Sequence, residues 1–263
     1  MSRGLRVHLA LVYGFLFLPI AVLVVLSFNR SGLPTSWGGF TTKWYGELAR
    51  NEEMREGLRN TVIVALGATI VATVLGTAAA LGLHGSRFRL KPWIVGLLCA
   101  PLAVPVVITA VASFYFLAAL SLVGTYAGLI LIHSVLALPF VVITVTATLQ
   151  GFDTNLVRAA ASLGAPPRHA FRTVTLPLIL PGVVSGALFA FVTSFDELVV
   201  VLFLASPQQR TLPRQIFSGV SENVSPTIVA AAVVLAVVSM VLMALMEGLR
   251  RRGERLRNGS IKT

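Results

Sequence analysis

The chain has 263 residues, 56% of them hydrophobic and 12% charged, with a formal net charge of +11. A water-soluble domain carries about 25% charged residues, so this composition excludes a soluble globular protein and points to an integral membrane protein. The basic residues lie between apolar runs rather than along one groove, which argues against nucleic acid as their partner.

The single cysteine, Cys99, sits in an apolar run and excludes an internal disulfide. His8, His84, His133 and His169 are scattered, so no metal site and no cofactor are expected. A lone His133 in an apolar span is read as bonded to a neighbouring helix rather than as a proton relay.

In chain order, residues 9–28 run without a charge, enough to cross about 30 Å of hydrocarbon. Arg3 and Arg6 precede them, and no small-residue cleavage site follows, so an uncleaved span is expected. Residues 27–59 carry Gly32, Pro34, Gly38, Gly39, Trp37, Trp44, Tyr45 and clustered charges. They read as an external loop with interfacial aromatics and a short helix. Residues 61–83 form the second span, with Gly67, Gly76 and Gly82 placed for close helix approach. A basic turn, 84–91, follows.

Residues 92–152 hold no Asp, Glu, Lys or Arg. That length divides into two spans, 93–120 and 126–149, with the break at 121–125 around Gly124. Pro101 and Pro105 loosen the third span and Pro139 the fourth, either as gating kinks or as packing irregularities, with packing the favoured reading. The fifth span is placed at 177–204, interrupted by Asp196 and Glu197. A polar loop, 205–225, leads to a sixth span at 227–246 and a basic tail at 250–257.

The longest amphipathic stretch that does not span is 153–177. Asp153 is placed to cap a helix. Leu156, Ala159, Ala160 and Leu163 recur at helical spacing, and Gly164 sits where a helix ends in a left-handed residue. Pro166 and Pro167 restart the chain as a first helical turn. Arg168 and Arg172 share one face of a second short helix, Phe171 and Val174 another, and Pro177 closes the unit. Two short helices hinged at a glycine make a docking knob.

With both ends on the cytoplasmic side, fourteen of the 21 Lys and Arg fall inside, including Arg158, Arg168 and Arg172. The positive-inside bias therefore supports six spans and puts 153–177 in the cytoplasm. The arginine-rich tail reads as a topology anchor against anionic lipid.

Arg158-Ala159-Ala160, then Gly164, then Pro177 thirteen residues beyond it resembles the cytoplasmic EAA loop of binding-protein-dependent ABC importer permeases. The segments SFN 27–29, GFTTKWY 39–45, LPFVVITV 138–145, GFD 151–153, SFDELVV 194–200, TLP 211–213 and VSPTI 224–228 extend the resemblance to the spermidine/putrescine branch, its second permease subunit. The resemblance implies an all-α membrane fold of six transmembrane helices, the MetI-like permease fold, in one domain over 1–263. It implies a second permease, a dimeric ATPase docked on the loop and a solute-binding protein as partners, in the inner membrane. The coupling residues it implies are Arg158, Ala159, Ala160, Gly164, Arg168, Phe171 and Pro177. One departs: the family's glutamate is Arg158 here, so Arg158 is not given the usual role.

Asp196 and Glu197 are the carboxylates inside an apolar run, about 29 Å of helix beyond Pro177. Charge at membrane depth faces a polar pathway or a partner, so two readings stand: at least one lines a path and attracts a polycation, or one lies in a water-exposed mouth. No G-x-x-x-x-G-K-[ST] occurs, so the chain supplies no P-loop and is expected to be no enzyme. An importer of another amine-bearing solute is the near alternative. An ion-coupled secondary transporter would need more buried ionisable groups and internal repeats, and a membrane enzyme would need a clustered catalytic set.

Overall fold

The computed structural model describes residues 3–31, 36–86, 88–222 and 225–259. Gly32 and Pro34, residue 87 of the basic turn and Val224 of the VSPTI segment lie outside them. The described elements are helical, apart from one antiparallel bridge between Asn29 and Phe40. Among the described residues, five helices are long and apolar enough to cross a membrane, and a bent pair gives a sixth if it is counted as one span. The chain divides into two units, residues 1–58 with 211–238, and 59–210 with 239–263.

In the first unit, α1 (Arg3–Ser27) is apolar on every face, and none of its apolar window is buried. Its end is tied down by polar and ring contacts. The Ser27 and Tyr45 hydroxyls lie 2.7 Å apart, and Phe28 stacks on Phe40 at 5.0 Å. Trp44 donates its indole N–H to the Asn29 carbonyl at 2.8 Å. The expected short helix is α2 (Lys43–Arg50). Next, α3 (Glu52–His84) starts nine residues before the predicted span. Asn51 explains the early start, since its side chain accepts the Met54 N–H at 3.0 Å, and Glu52 and Glu53 favour the positive end of the helix dipole. The stretch 205–225, expected to be a loop, contains α11 (Leu212–Glu222). Leu212 and Ile216 on that helix join Met54, Ile228 and Ala231 in a small apolar core.

The second unit is built around α6 (Tyr126–Gln150). A helix apolar all round belongs in an interior, and twelve of its residues are buried, from Gly128 to Leu149. Its first half packs with Val64, Ala110, Leu117, Val200 and Leu204. Its second half packs with Ala72, Ala80, Ile179 and Ala190. Pro139 stays inside this helix without ending it. Small residues set the spacing. A Cβ on Gly76 would lie 2.8 Å from Val141, and one on Gly67 would lie 2.6 Å from Ile130. Gly82 has open space instead, so the close approach expected there is absent.

The break near Gly124 lies where expected, with Ser121 at φ 58° and Gly124 at φ 72°. Residues 93–120, expected to be one loosened span, are two helices, α4 (Lys91–Cys99) and α5 (Val106–Ala119), whose axes bend by 101°. The cause is chemical. Pro105 has no N–H to continue the ladder and takes ψ 129°, and residues before a proline are driven out of the helical region. Pro101 and Pro105 thus mark a true break.

Residues 177–204 are also not one helix. Here α9 (Leu176–Phe195) stops, and α10 (Val199–Leu204) follows after a turn. The last helix, α12 (Pro226–Gly259), carries the sixth apolar stretch, Pro226–Leu245.

Candidate functional site

The segment 153–177 folds as two helical pieces joined at a glycine. Asp153 accepts the Asn155 N–H at 2.9 Å and so turns the chain into α7 (Asn155–Ser162). Gly164, at φ +82°, ends that helix. Two hydrogen bonds lock the ending: Ala165 N–H to Ala160 C=O at 3.0 Å, and Gly164 N–H to Ala161 C=O at 2.9 Å. This crossed pair is the Schellman closure. Any side chain at Gly164 would have to adopt a left-handed backbone, so the sequence needs glycine there.

Pro166, at φ −66° and ψ 153°, sets the direction of α8 (Pro167–Ala170). The expected second short helix does not end at Pro177. It continues through a π-turn, Phe171–Thr175, directly into α9. Pro177 cannot donate to the Thr173 carbonyl, and its ring crowds that position; a wider turn just before it relieves the clash. The knob is therefore one short helix hinged onto the extended end of a spanning helix. Single π-turns inside helices are frequent at functional sites.

The side chains of this segment face outward. Arg158, Ala159, Arg168, Phe171 and Pro177 are exposed, and Ala160 is half-buried. The apolar face expected on α7 has no cover: Leu156 is 44% exposed and Leu163 88%. Leu163, at the hinge, is the residue that reasoning from the sequence undervalued, because helical spacing alone does not say whether an apolar face is covered. An exposed leucine of this kind forgoes about 1.5–3 kcal/mol of burial, which a docked partner would recover.

Asp196 and Glu197 sit in the turn between α9 and α10, not within a helix. Their roles differ. Glu197 turns inward and its Oε1 accepts the Val200 N–H at 2.9 Å, capping α10. Asp196 ends α9, is exposed, and accepts the Ser239 hydroxyl on Oδ1 at 2.8 Å. No basic side chain pairs with it among the described residues. It stands at the negative end of a helix dipole, where a cation is favoured. Ser239 carries no motif that would single it out in the sequence.

Two residues before Asp196, the Ser194 hydroxyl of α9 lies 2.7 Å from Nδ1 of His133 on α6, which is fully buried. That is the inter-helix bond expected of it. Gly182 and Gly186 bring α9 against α6: a Cβ on Gly186 would lie 2.5 Å from the Thr144 hydroxyl, and one on Gly182 would collide with Thr148. No group of three or more His, Cys, Asp or Glu suited to a metal occurs among the described residues.

Comparison with known proteins gives one consistent result. Residues 72–255 match the family described as binding-protein-dependent transport system inner membrane component. The chain is 34% identical over 251 residues to the spermidine/putrescine transport system permease protein PotC of Escherichia coli (strain K12), covering 95% of each chain. It is 37% identical over 236 residues to the putrescine transport system permease protein PotI of the same strain, covering 87% of this chain and 84% of that one. Among solved structures, a chain of a bacterial ABC transporter involved in the import of the acidic polysaccharide alginate superposes with a TM-score of 0.71 at 14% identity, over 96% of this chain and 98% of that one.

Proposed function

The chain belongs to the family of binding-protein-dependent inner-membrane transport components, the permeases of ABC importers, and on that premise we propose that it conducts polyamines such as spermidine and putrescine. It forms one half of a translocation path with a second permease. An ATPase pair docks on the cytoplasmic side, and a solute-binding protein delivers cargo from outside. Both chain ends lie in the cytoplasm. The chain is a transport component rather than a catalyst, because ATP hydrolysis requires a phosphate-binding loop it lacks.

One observation carries the substrate reading: identity runs along almost the full length of a spermidine/putrescine permease. The site geometry fits it. Asp196 offers an exposed carboxylate with no ion partner among the described residues, at the end of a helix. A diammonium or triammonium cargo meets an attraction there that grows as water is excluded. Glu197 uses one oxygen to cap α10 and so contributes to the shape of the break as well as to its charge.

The coupling residues are Arg158, Ala159, Ala160, Gly164, Arg168, Phe171 and Pro177. The closure at Gly164 fixes α7 to the end of α9 as one unit, and the continuous helix from Pro167 to Phe195 carries its displacement to the turn that holds Asp196. The test is ATP hydrolysis by the complex assembled in lipid, with the binding protein empty, loaded with spermidine, loaded with putrescine, or offered an unrelated solute. Stimulation by polyamine alone supports the reading. Stimulation only by another solute removes the substrate and keeps the importer.

A further inference from the structure

Resting on the docking role proposed for 153–177, we infer that the ATPase groove receiving this loop is acidic, and that Arg158 makes a charge-paired contact with a carboxylate in it.

The inference starts from charge that the chain itself does not neutralise. The segment carries Arg158, Arg168 and Arg172, with His169 between them, against one acid, Asp153. All three arginines are exposed. None has a carboxylate partner among the described residues. Asp153 is committed to the Asn155 N–H. Arg158 makes only a long contact, 3.4 Å, from Nη1 to the Asn155 side-chain oxygen.

The same segment carries Leu163 at 88% exposure, Leu156 at 44% and Phe171 at 37%. A partner that covers this segment also strips water from the guanidiniums it meets. A desolvated charge is tolerated only when paired and hydrogen-bonded, and a guanidinium pairs best with a carboxylate in a two-bond fork. A groove of basic or neutral lining would leave three charges uncompensated.

The alternative cover is the anionic headgroup layer of the membrane. A fluid layer places no demand on fixed geometry. Here the Schellman closure at Gly164 and the packing of α7 against α8 and the π-turn hold the backbone of α7 in a set relation to that of α8. A shaped protein groove requires that relation.

The test uses the whole complex, with Arg158→Glu, Arg158→Gln and Arg172→Glu introduced singly and ATPase co-purification as the readout. Recovery of the permease pair from the membrane controls for folding. Arg158→Glu should lower ATPase retention roughly ten-fold near physiological salt, where charges within about 8 Å still interact. Arg158→Gln should give a smaller loss that narrows as salt rises. A Lys replacing one acidic groove residue of the ATPase should restore retention of Arg158→Glu and weaken the parent. Parental retention by Arg158→Glu, or no restoration by any such Lys, overturns the inference while leaving docking intact. Loss that follows the phosphatidylglycerol content of nanodiscs, and not the ATPase variant, also overturns it and assigns the arginines to lipid. A parent complex that retains no ATPase contradicts the docking reading itself.

Discussion

Two helix interruptions in this chain, at Gly164 and at Asp196–Leu198, use polar chemistry in opposite ways. At Gly164 the backbone closes its own hydrogen bonds and leaves the side chains unspent, so arginines and a leucine project outward. At Asp196–Leu198 the side chains do the closing: Glu197 caps α10, and Asp196 accepts Ser239 with one oxygen. In the function proposed above, the first interruption is met by another surface, and the second keeps one carboxylate accessible to cargo. The difference lies in which groups remain free: side chains at Gly164, and one carboxylate at Asp196.

That contrast can be broken most forcefully at Gly164. A Gly164→Val substitution forces a β-branched residue to φ +82°, at a cost of about 1–2 kcal/mol or more. A cost of that size corresponds to roughly ten-fold in the docked population. Polyamine-stimulated ATP hydrolysis should fall at least that far, with the chain still recovered from the membrane at the parental level. Parental coupling would mean the left-handed closure is dispensable.

Asp196→Asn keeps the shape and the bond from Ser239 but removes the charge. Uptake should fall roughly ten-fold, the low end of what charge focused in a cleft adds to the local cation concentration, while ATPase retention stays unchanged. Equal uptake would place Asp196 outside the path. At Glu197 the outcome should depend on hydrogen bonding rather than on charge. Glu197→Gln keeps an oxygen for the Val200 N–H and should change uptake less than about two-fold, whereas Glu197→Leu loses a cap worth about 1 kcal/mol and should lower the thermal midpoint of the purified complex. If Gln and Leu behave alike, the capping role fails. Ser239→Ala should have the smallest effect, weakening a neutral-to-charged hydrogen bond at an exposed site, read as a modest rise in half-saturating polyamine with little change in maximal rate.

The sequence made the hinge legible because each of its parts is punctuated by a residue with one job: Asp153 to turn the chain, Gly164 to close it, Pro166 and Pro167 to restart it. Six apolar stretches and the break at Gly124 were legible for the same reason. The charges of Asp196 and Glu197 marked an interruption of the fifth span, but the start of a separate helix was not legible, since Val199 to Leu204 continue the apolar run and hydropathy does not register a change of direction. The 101° bend was signalled by Pro101 and Pro105, but Pro139 carries the same signal inside an unbroken helix. What separates them is context: Pro139 is buried in the packed centre of α6, whereas no residue of α4 is buried. Amphipathic α11 was hidden in a polar stretch because its apolar face is narrow and short. The continuation of α8 into α9 was missed because a π-turn has no sequence signature beyond a proline that elsewhere ends a helix.

The claim that 153–177 meets the ATPase is tested most directly by disulfide trapping. Leu163→Cys in a Cys99→Ser background places one thiol at the exposed hinge, and paired cysteines are placed along the groove of the ATPase. The account predicts a cross-link between Leu163→Cys and the ATPase whose yield changes between nucleotide-free and ATP-bound complexes. An assembled, active complex in which that thiol never cross-links, and is labelled equally by a soluble reagent with and without the ATPase, would contradict it.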